Sequence, residues 1–280
     1  MIQQSFKNNM PSLFLVATPI GNLQEMTPRA IETLKTVDVI AAEDTRTTKK
    51  LLQHFDIKTH TISHHLHNEK QSSQGILDLL AEGKNVALVS DAGYPLISDP
   101  GQTLVSEVVK EGYNVIPISG SSAFLNALVA SGLVTQPFAF MGFLEAKESQ
   151  LRKQLIQNKS LPMTTIYYVS VHKLEKTLEI IEEEYGNRNI CMAREITKLH
   201  EEFVRGTISE VREALDVVKG EFVLVIEAEQ IQDEKTIEDF LSDIEIAISN
   251  GQSVSRAIAT VAKENGLSKN ELYATYHENK

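Results

Sequence analysis

Short apolar runs alternate with amphipathic segments along the first half of this 280-residue chain, and this alternation restricts the folds open to it. The run 13–17 ends in Thr18-Pro19-Ile20-Gly21-Asn22, where proline and glycine prevent a helix from following directly. Helical periodicity begins after Thr27, which can cap a helix that holds Pro28 in its first turn. Apolar runs without polar alternation indicate a mostly parallel sheet with helices on both faces. The other strand-like runs are 37–41, 86–90 and 115–118, and the helical segments are 47–55, 73–82, 101–111 and 122–131.

The second half repeats the alternation at wider spacing, which predicts a second α/β domain built on a mixed sheet. Its strand-like runs are 138–142, 164–169, 189–193 and 222–226, with helical segments near 146–158, 173–184 and 208–218. After residue 229 the periodicity is purely helical, and Ser253 can cap a helix that Gly266 separates from the next. These last helices resemble a helix-turn-helix pair. The predicted segments are an N-terminal extension (1–12), two α/β domains (13–133 and 134–230) and a helical module (231–280).

Composition excludes several classes of protein. The net charge is −11, and each of the three main segments carries more acidic than basic residues, which argues against broad attachment to nucleic acid or acidic membrane. The single cysteine, Cys191, lies in an apolar run and is expected to be a buried thiol, so disulfides and cysteine metal sites are excluded. The run 13–17 is too short for a signal peptide and no run is long enough for a membrane span, which predicts a cytoplasmic protein.

Three loops that follow strand-like runs are rich in glycine, proline and small polar residues: 18–22, 91–101 and 119–122. In an open parallel sheet, ligands bind outside the carboxyl ends of the strands, so these loops are expected to share one crevice. The middle loop holds Asp91, Asp99 and two prolines but no lysine or arginine, and no phosphate-binding glycine motif occurs in the three loops. This chemistry favours a zwitterionic or cationic cofactor over a phosphate.

Six motifs, which follow one another in the same order along the chain, resemble those of one family. The chain is similar to the ribosomal RNA small subunit methyltransferase I family of the tetrapyrrole methylase superfamily, in order from about residue 13 to residue 276. The motifs are Ala17-Thr18-Pro19-Ile20-Gly21-Asn22-Leu23, Glu43-Asp44-Thr45-Arg46, Ser90 to Gly101, Gly142-Phe143-Leu144, Arg194-Glu195-Ile196-Thr197-Lys198 and Gly220-Glu221-Phe222.

The resemblance implies 2′-O-methylation of a cytidine ribose in the decoding region of 16S rRNA, with S-adenosylmethionine as the methyl donor. It also implies two α/β domains of the tetrapyrrole methylase type with the donor in the cleft between them, and a homodimer. By this likeness, seven residues of the three loops face the donor: Pro19, Asp91, Ala92, Gly93, Pro95, Ser121 and Ser122.

The chain departs from the family pattern at a few positions. Val169 and Val171 stand where the family usually has glutamate and proline, so one carboxylate is lost. Ser119 replaces the usual proline before Gly120, and Glu145 replaces the usual proline after Gly-Phe-Leu. These differences bear on the substrate side of the site more than on the donor side.

Two charged motifs are candidates for catalysis, because a ribose hydroxyl is a poor nucleophile that a base or a cation would assist. In the first motif, Glu43 or Asp44 would be the acid and Arg46 a contact to phosphate or ribose. The alternative is that Asp44 caps the following helix beside a surface arginine. In the second motif Arg194, Glu195 and Lys198 would contact substrate or donor, and the alternative is a salt-bridged surface. The general base is not assigned.

The remaining polar clusters have weaker interpretations. His64, His65 and His67 lack cysteine or carboxylate partners at ligand spacing, so no metal site is expected, and contact with RNA or an exposed loop is favoured. The best local candidates for binding phosphate are Arg46, Lys49 and Lys50, together with Lys147, Arg152 and Lys153. Either cluster could equally be an ordinary solvated face.

Two other functions stay open at this stage. The first is methylation of a tetrapyrrole ring, which the superfamily architecture allows. The second is a ligand-sensing helix-turn-helix regulator, which would need a basic recognition helix, whereas residues 270–280 offer only Lys280. The expected partners are therefore 16S rRNA or the small ribosomal subunit and a second copy of the chain, with no DNA and no membrane.

Overall fold

The computed structural model describes residues 2–5, 7–65, 69–171, 174–216, 219–229 and 237–279. By internal contacts it divides into two compact units, Met1–Glu229 and Gln230–Lys280. The first unit contains two five-stranded sheets. The predicted boundary at 133/134 falls between these sheets, and the division of the first unit into two domains stays a prediction. None of the helices in these ranges is long and apolar enough to cross a membrane.

The first sheet is parallel throughout, as predicted, and its strands are ordered β3-β2-β4-β1-β5. β2 and β4 are buried along their whole length because helices cover both faces. Ile40 packs with Leu34 and Leu52 on one face, while the next residue, Ala41, packs with Ile76 on the other. The strands are β1 (Ser12–Val16), β2 (Val39–Ala42), β3 (His60–Ser63), β4 (Val86–Val89) and β5 (Asn114–Ile118). The helices are α1 (Pro28–Thr36), α2 (Thr45–His54), α3 (Glu69–Ala81), α4 (Gln102–Lys110) and α5 (Ala123–Ala130).

The second sheet is mixed, as predicted, with the order β6-β7-β10-β8-β9. β6 and β7 are parallel and the other neighbours are antiparallel. Its strands are β6 (Phe138–Phe143), β7 (Thr164–Val169), β8 (Asn189–Arg194), β9 (Glu202–Thr207) and β10 (Phe222–Ile226). Its helices are α6 (Glu148–Asn158), α7 (Leu174–Tyr185) and α8 (Ile208–Ala214).

Helix α5 connects the two sheets by packing. It follows β5 of the first sheet, but Ala127 and Leu128 pack against Ile166 and Val223 of the second sheet. Cys191 lies in the same apolar cluster and is fully buried, which confirms the predicted structural thiol, and burial raises the pKa of that thiol. The two sheets therefore belong to one compact unit.

The C-terminal unit is helical, as expected, with α9 (Leu241–Ser249), α10 (Val254–Asn265) and α11 (Lys269–Glu278). Its core includes Ile244, Ile258 and Leu272. Gly266 ends α10 in the left-handed conformation, with φ of 67°. Ser253 stands at the N-cap of α10 but makes no side-chain capping hydrogen bond, so the predicted cap is wrong in that respect.

Candidate active site

The three predicted loops meet at the carboxyl edge of the parallel sheet. The Thr18 and Gly93 backbones form a two-hydrogen-bond bridge, with N···O distances of 2.9 and 3.0 Å. The Gly120 amide donates to the Tyr94 hydroxyl at 3.2 Å, which joins the middle loop to the third. Ser121 donates to the Glu25 carboxylate at 2.6 Å, which joins the third loop to the segment after the first. The expected convergence is therefore present.

Close approach of these loops depends on small residues. Gly93 has φ of 78°, a left-handed conformation that glycine adopts without a steric cost. At Gly120, an added Cβ would lie 2.9 Å from the Ala17 Cβ atom and 3.2 Å from the Ala17 carbonyl oxygen. Leu96 is also held at positive φ, 75°, which costs backbone energy for a residue with a side chain. The conformations of the loops therefore depend on glycine at positions 93 and 120, where they pack against each other.

A cavity of about 480 Å³ lies between these loops and the second sheet. Ala92, Gly93 and Ser122, which were predicted to face the donor, line the cavity, and Ile20 lines it from the first loop. Pro19, Asp91, Pro95 and Ser121 belong to the same loops but are not among the lining residues. The second half of the chain contributes Phe143, Tyr168, Val169, Ser170, Val171 and residues 220–223. The valines that depart from the family pattern therefore lie at the cavity.

The volume and lining fit S-adenosylmethionine. Cavities of about 300–1,000 Å³ hold ligands of this size. No lysine or arginine occurs among the described residues of the lining, whereas Asp99 and Glu221 are both present. A lining whose described part is mainly apolar, with two carboxylates and neither lysine nor arginine, suits a ligand that carries a sulfonium and an ammonium group.

Three carboxylates gather on the first-sheet side of the cavity. Burial raises the pKa of Asp99. A hydrogen bond from the Ser90 side chain lowers this pKa, and the charge of the nearby Asp91 raises it. Burial also raises the pKa of Glu43, and Asp99 adds to that increase. The pKa of Asp91 is raised by burial as well. Such mutual repulsion shows concentrated negative charge, which a bound cation would relieve.

Asp44 and Arg46 form an ion pair beside this cluster. Asp44 caps α2 by accepting the Arg46 amide at 2.8 Å, and its other oxygen contacts the Arg46 guanidinium at 2.8 Å. The hydrogen bond from the Arg46 side chain is the main cause that lowers the pKa of Asp44 to about 2. The structural alternative for Asp44, a helix cap, is therefore present. A catalytic role for either residue stays a prediction.

Lys198 links the first loop to the second sheet. Its ammonium contacts Glu195 at 2.9 Å and Glu221 at 2.7 Å, and its aliphatic stem packs where a side chain at position 21 would stand. The Glu195 carboxylate also accepts the Glu221 amide at 2.9 Å. Glu221 lines the cavity, whereas Lys198 and Glu195 do not. Lys198 and Glu195 therefore position Glu221 in the cavity wall, and a catalytic role for either residue stays a prediction.

Arg194 is held away from the cavity. Its guanidinium donates to the Lys219 carbonyl at 2.8 Å and pairs with Glu202 at 2.9 Å. The salt-bridged alternative therefore describes this motif well, and a substrate role for Arg194 stays a prediction. The cavity residues that sequence reasoning did not assign include Asp99, Phe143, Tyr168 and Glu221. Three of them stood in motifs already recognised, so spacing alone could not separate them from their neighbours.

Replacing Lys198 with methionine is expected to lower the free energy of unfolding by about 1 to 3 kcal/mol, because Glu195 and Glu221 lose their shared cation. The pKa of Glu195 is lowered mainly by its hydrogen bond from Lys198, so this contribution is present above the ordinary value of 4.5 and is lost as pH falls. Urea unfolding at pH 7 and pH 4 measures both effects. Lys176→Met, which removes an exposed pair at the same 2.9 Å distance, should cost less than about 0.5 kcal/mol. Equal losses for both variants would contradict the bridging role.

One prediction for the polar clusters needs correction. His64 is 1% exposed and its Nδ1 lies 2.8 Å from the Ser72 hydroxyl, so it is a buried residue and not part of an exposed loop. His67 lies outside the described residues. Arg152 contacts Glu148, Glu183 and Glu184, which favours the alternative of an ordinary solvated face, and its contact with phosphate stays a prediction. No group of metal-ligating side chains is assembled within the described ranges.

Comparison with known proteins places the chain in a family. The family model of the tetrapyrrole (corrin/porphyrin) methylases matches residues 12–212. A Halalkalibacterium halodurans protein named ribosomal RNA small subunit methyltransferase I is 46% identical over 99% of both chains. Proteins of the same name from Bacillus subtilis and Streptococcus pyogenes are 46% identical over 98% of both chains and 42% identical over 99% of both chains.

Solved structures agree on the fold. A diphthine synthase has a TM-score of 0.62 at 15% identity, covering 78% of this chain and 90% of that one. A uroporphyrin-III-C-methyltransferase from Thermus thermophilus has a TM-score of 0.53 at 16% identity, covering 77% and 94%. At such low identity these likenesses show the fold alone. The family model and the near full-length relatives establish that this chain is a methyltransferase of the ribosomal RNA small subunit methyltransferase I family, within the tetrapyrrole methylases.

Proposed function

We propose that this enzyme transfers the methyl group of S-adenosylmethionine to the 2′-oxygen of a cytidine ribose in the decoding region of 16S rRNA. The observation that carries the proposal is the cavity between the two sheets, whose described lining residues include carboxylates and neither lysine nor arginine. The relatives that are more than 40% identical over nearly their whole length support ribosomal RNA as the substrate.

The three loops would hold the donor. Ala92, Gly93 and Ser122 line the cavity and would supply backbone contacts to the donor. Pro19 and Pro95 fix the shape of their loops, and Asp91 adds negative charge. Ser121 orders the third loop through its bond to Glu25. The bound donor would supply an activated methyl group on a positively charged sulfur.

The residues of the chain would accelerate the reaction mainly by alignment. The ribose oxygen must approach the methyl carbon opposite the sulfur, so that a carbon–oxygen bond forms as the carbon–sulfur bond breaks. The ribose hydroxyl loses its proton in this displacement. Glu43 and Asp99, with raised pKa values, are suited to accept a proton, and Arg46 is placed at the edge of this cluster. We assign no general base among them.

Contact with RNA requires a local cationic surface on this acidic chain. Arg46, Lys49 and Lys50 are exposed on α2, which begins directly after the carboxylate cluster. Lys147 and Lys153 are exposed near the start of α6. The first group lies closer in sequence to the cavity loops and is the better candidate for a phosphate contact.

We also place the enzyme in the cytoplasm as a homodimer. Leu125 and Val129 of α5 are 40% and 72% exposed, which leaves an apolar surface that a second copy could cover. Light scattering of the full chain measures its mass, and a monomeric mass at micromolar concentration would contradict the dimer.

The substrate is tested by incubating the full chain with tritiated S-adenosylmethionine and three acceptors in parallel. We expect label in 30S subunits or naked 16S rRNA that lacks the modification, at a nucleotide whose 3′ bond becomes resistant to alkali. Resistance to alkali identifies the 2′-oxygen as the methylated atom. Label in uroporphyrinogen alone would refute the proposal in favour of a tetrapyrrole substrate.

The regulator alternative is tested on the same preparation. Helix α11 carries Lys269 and His277 together with Glu271 and Glu278, which is a poor surface for DNA phosphates. We expect no shift of random genomic fragments in a gel assay. Sequence-specific binding to one DNA fragment, without methylation of RNA, would favour the regulator.

A further inference from the structure

Phe143 is a large aromatic side chain that is exposed at the cavity instead of being buried in the core. It lies at the end of β6, lines the cavity, and is 59% exposed. Large exposed apolar side chains at a concave site indicate contact with a ligand. Neither the donor contacts nor the proton transfer described above uses this residue.

A β-bulge directs Phe143 to the cavity. Phe140 pairs with Ile166 and Phe143 pairs with Tyr168, so three steps along β6 face two steps along β7. Gly142, at φ of 72°, accommodates the extra residue. Because side chains alternate along a strand, this insertion places Phe143 on the same face as Phe140 and Tyr168. A regular strand would have turned Phe143 to the opposite face.

The ring is supported from behind by other aromatic residues. Tyr168 meets Phe143 edge to face, with ring centroids 5.2 Å apart and an interplanar angle of 65°. Tyr168 in turn contacts Phe140 at 4.9 Å, and Phe140 stacks on Phe124 at 4.5 Å. These contacts hold one side of the Phe143 ring, while more than half of the residue stays accessible. The result is a fixed, flat apolar platform at the cavity.

Flat aromatic platforms bind nucleobases. Proteins that recognise RNA by sequence commonly bind unpaired nucleotides whose unstacked bases rest on aromatic side chains. The donor is matched by the carboxylates and narrow loops of the first sheet, whereas Phe143 lies on the second sheet. We propose that Phe143 stacks on the base of the acceptor nucleotide and so positions its ribose, an inference that rests on the proposed function.

The test compares three variants on 30S subunits that lack the modification. Phe143→Ala should lower kcat/KM for the subunits about 10- to 100-fold, since stacking contributes about 1–3 kcal/mol and each 1.4 kcal/mol is a factor of ten. Phe143→Trp should stay within about threefold of the parent, because it keeps a π-face. Ile156→Ala is the matched control, because Ile156 is 60% exposed and lies outside the cavity lining.

Titration with S-adenosylhomocysteine separates the acceptor from the donor. We expect its Kd to change less than about twofold in Phe143→Ala. An unchanged kcat/KM in that variant would overturn the inference, and so would an equal loss of affinity for S-adenosylhomocysteine, which would place the ring against the adenine of the donor. If the parent enzyme labels no RNA, the proposed function itself fails, which is a distinct result.

Discussion

Replacing Gly120 with valine is expected to reduce methyl transfer about 100-fold or more, because a displacement of about 1 Å in a positioning element can have that effect. An added Cβ would lie 2.9 Å from Ala17 Cβ, and the neighbouring backbone oxygen is only 3.2 Å away. The first and third loops must therefore separate. The same movement would stretch the bond from the Gly120 amide to Tyr94. Kinetics with saturating RNA, together with titration of S-adenosylhomocysteine, measure the loss.

The chain should still fold, because overpacking costs about 1–3 kcal/mol against a total stability of about 5–15 kcal/mol. Gly75→Ala is the matched control. Gly75 lies in α3, and a Cβ there would meet nothing within 4 Å. That variant should keep full activity and gain up to about 1 kcal/mol of stability. Activity within threefold of the parent in Gly120→Val would show that the junction of the loops is not part of the donor site.

Replacing Asp99 with asparagine should weaken binding of S-adenosylmethionine about 10- to 100-fold. A unit charge pair at 4 Å is worth about 4 kcal/mol at an effective dielectric constant of 20, and desolvation of both groups offsets part of this. The loss should be smaller for S-adenosylhomocysteine, about threefold or less, because its sulfur is uncharged. Calorimetric titration of the two ligands provides both numbers. Equal losses would place Asp99 against another part of the donor.

The pH dependence of the same carboxylate has a defined sign. Burial raises the pKa of Asp99 above its ordinary value of 3.8, so the ionised form opposes folding at neutral pH, and stability declines as pH rises through the raised pKa. Asp99→Asn should therefore unfold at the same or a higher temperature than the parent at pH 7. Donor affinity in the parent should fall as pH decreases through that raised pKa. Asp56→Asn, at a side chain that is 83% exposed and outside the cavity lining, should leave donor affinity unchanged.

Two strands escaped prediction for the same reason. β3 (His60–Ser63) is polar, and it pairs only with β2 at the edge of the first sheet. β9 (Glu202–Thr207) begins with a charged residue and holds the edge of the second sheet beside β8. Edge strands bury little, so their sequences need no apolar run, and they form because a neighbouring strand offers unpaired hydrogen-bonding groups. Hydrophobic periodicity in the sequence therefore does not predict polar edge strands such as β3 and β9.

The three loops of the proposed donor site could be predicted from the sequence, whereas the aromatic platform of the proposed acceptor site could not. Pro19, Gly93 and Pro95 restrict backbone conformation locally, and their loops were predicted to converge because they follow neighbouring strands. Phe143 was visible only as part of a Gly-Phe-Leu motif. Its direction depends on a one-residue insertion against β7, which no local pattern of β6 reveals.

By itself, the sequence determined the order of the helices and of the apolar strands, the parallel character of the first sheet and the three loops that follow strands of that sheet. These properties follow from local hydrophobic periodicity and from the backbone limits of glycine and proline. Tertiary structure alone decided which charged residues face the cavity and which pair with each other. Asp99 and Glu221 reach the cavity while Arg194 and Arg152 are tied to neighbouring groups, because burial and partners far apart in the chain set the fate of a charged side chain.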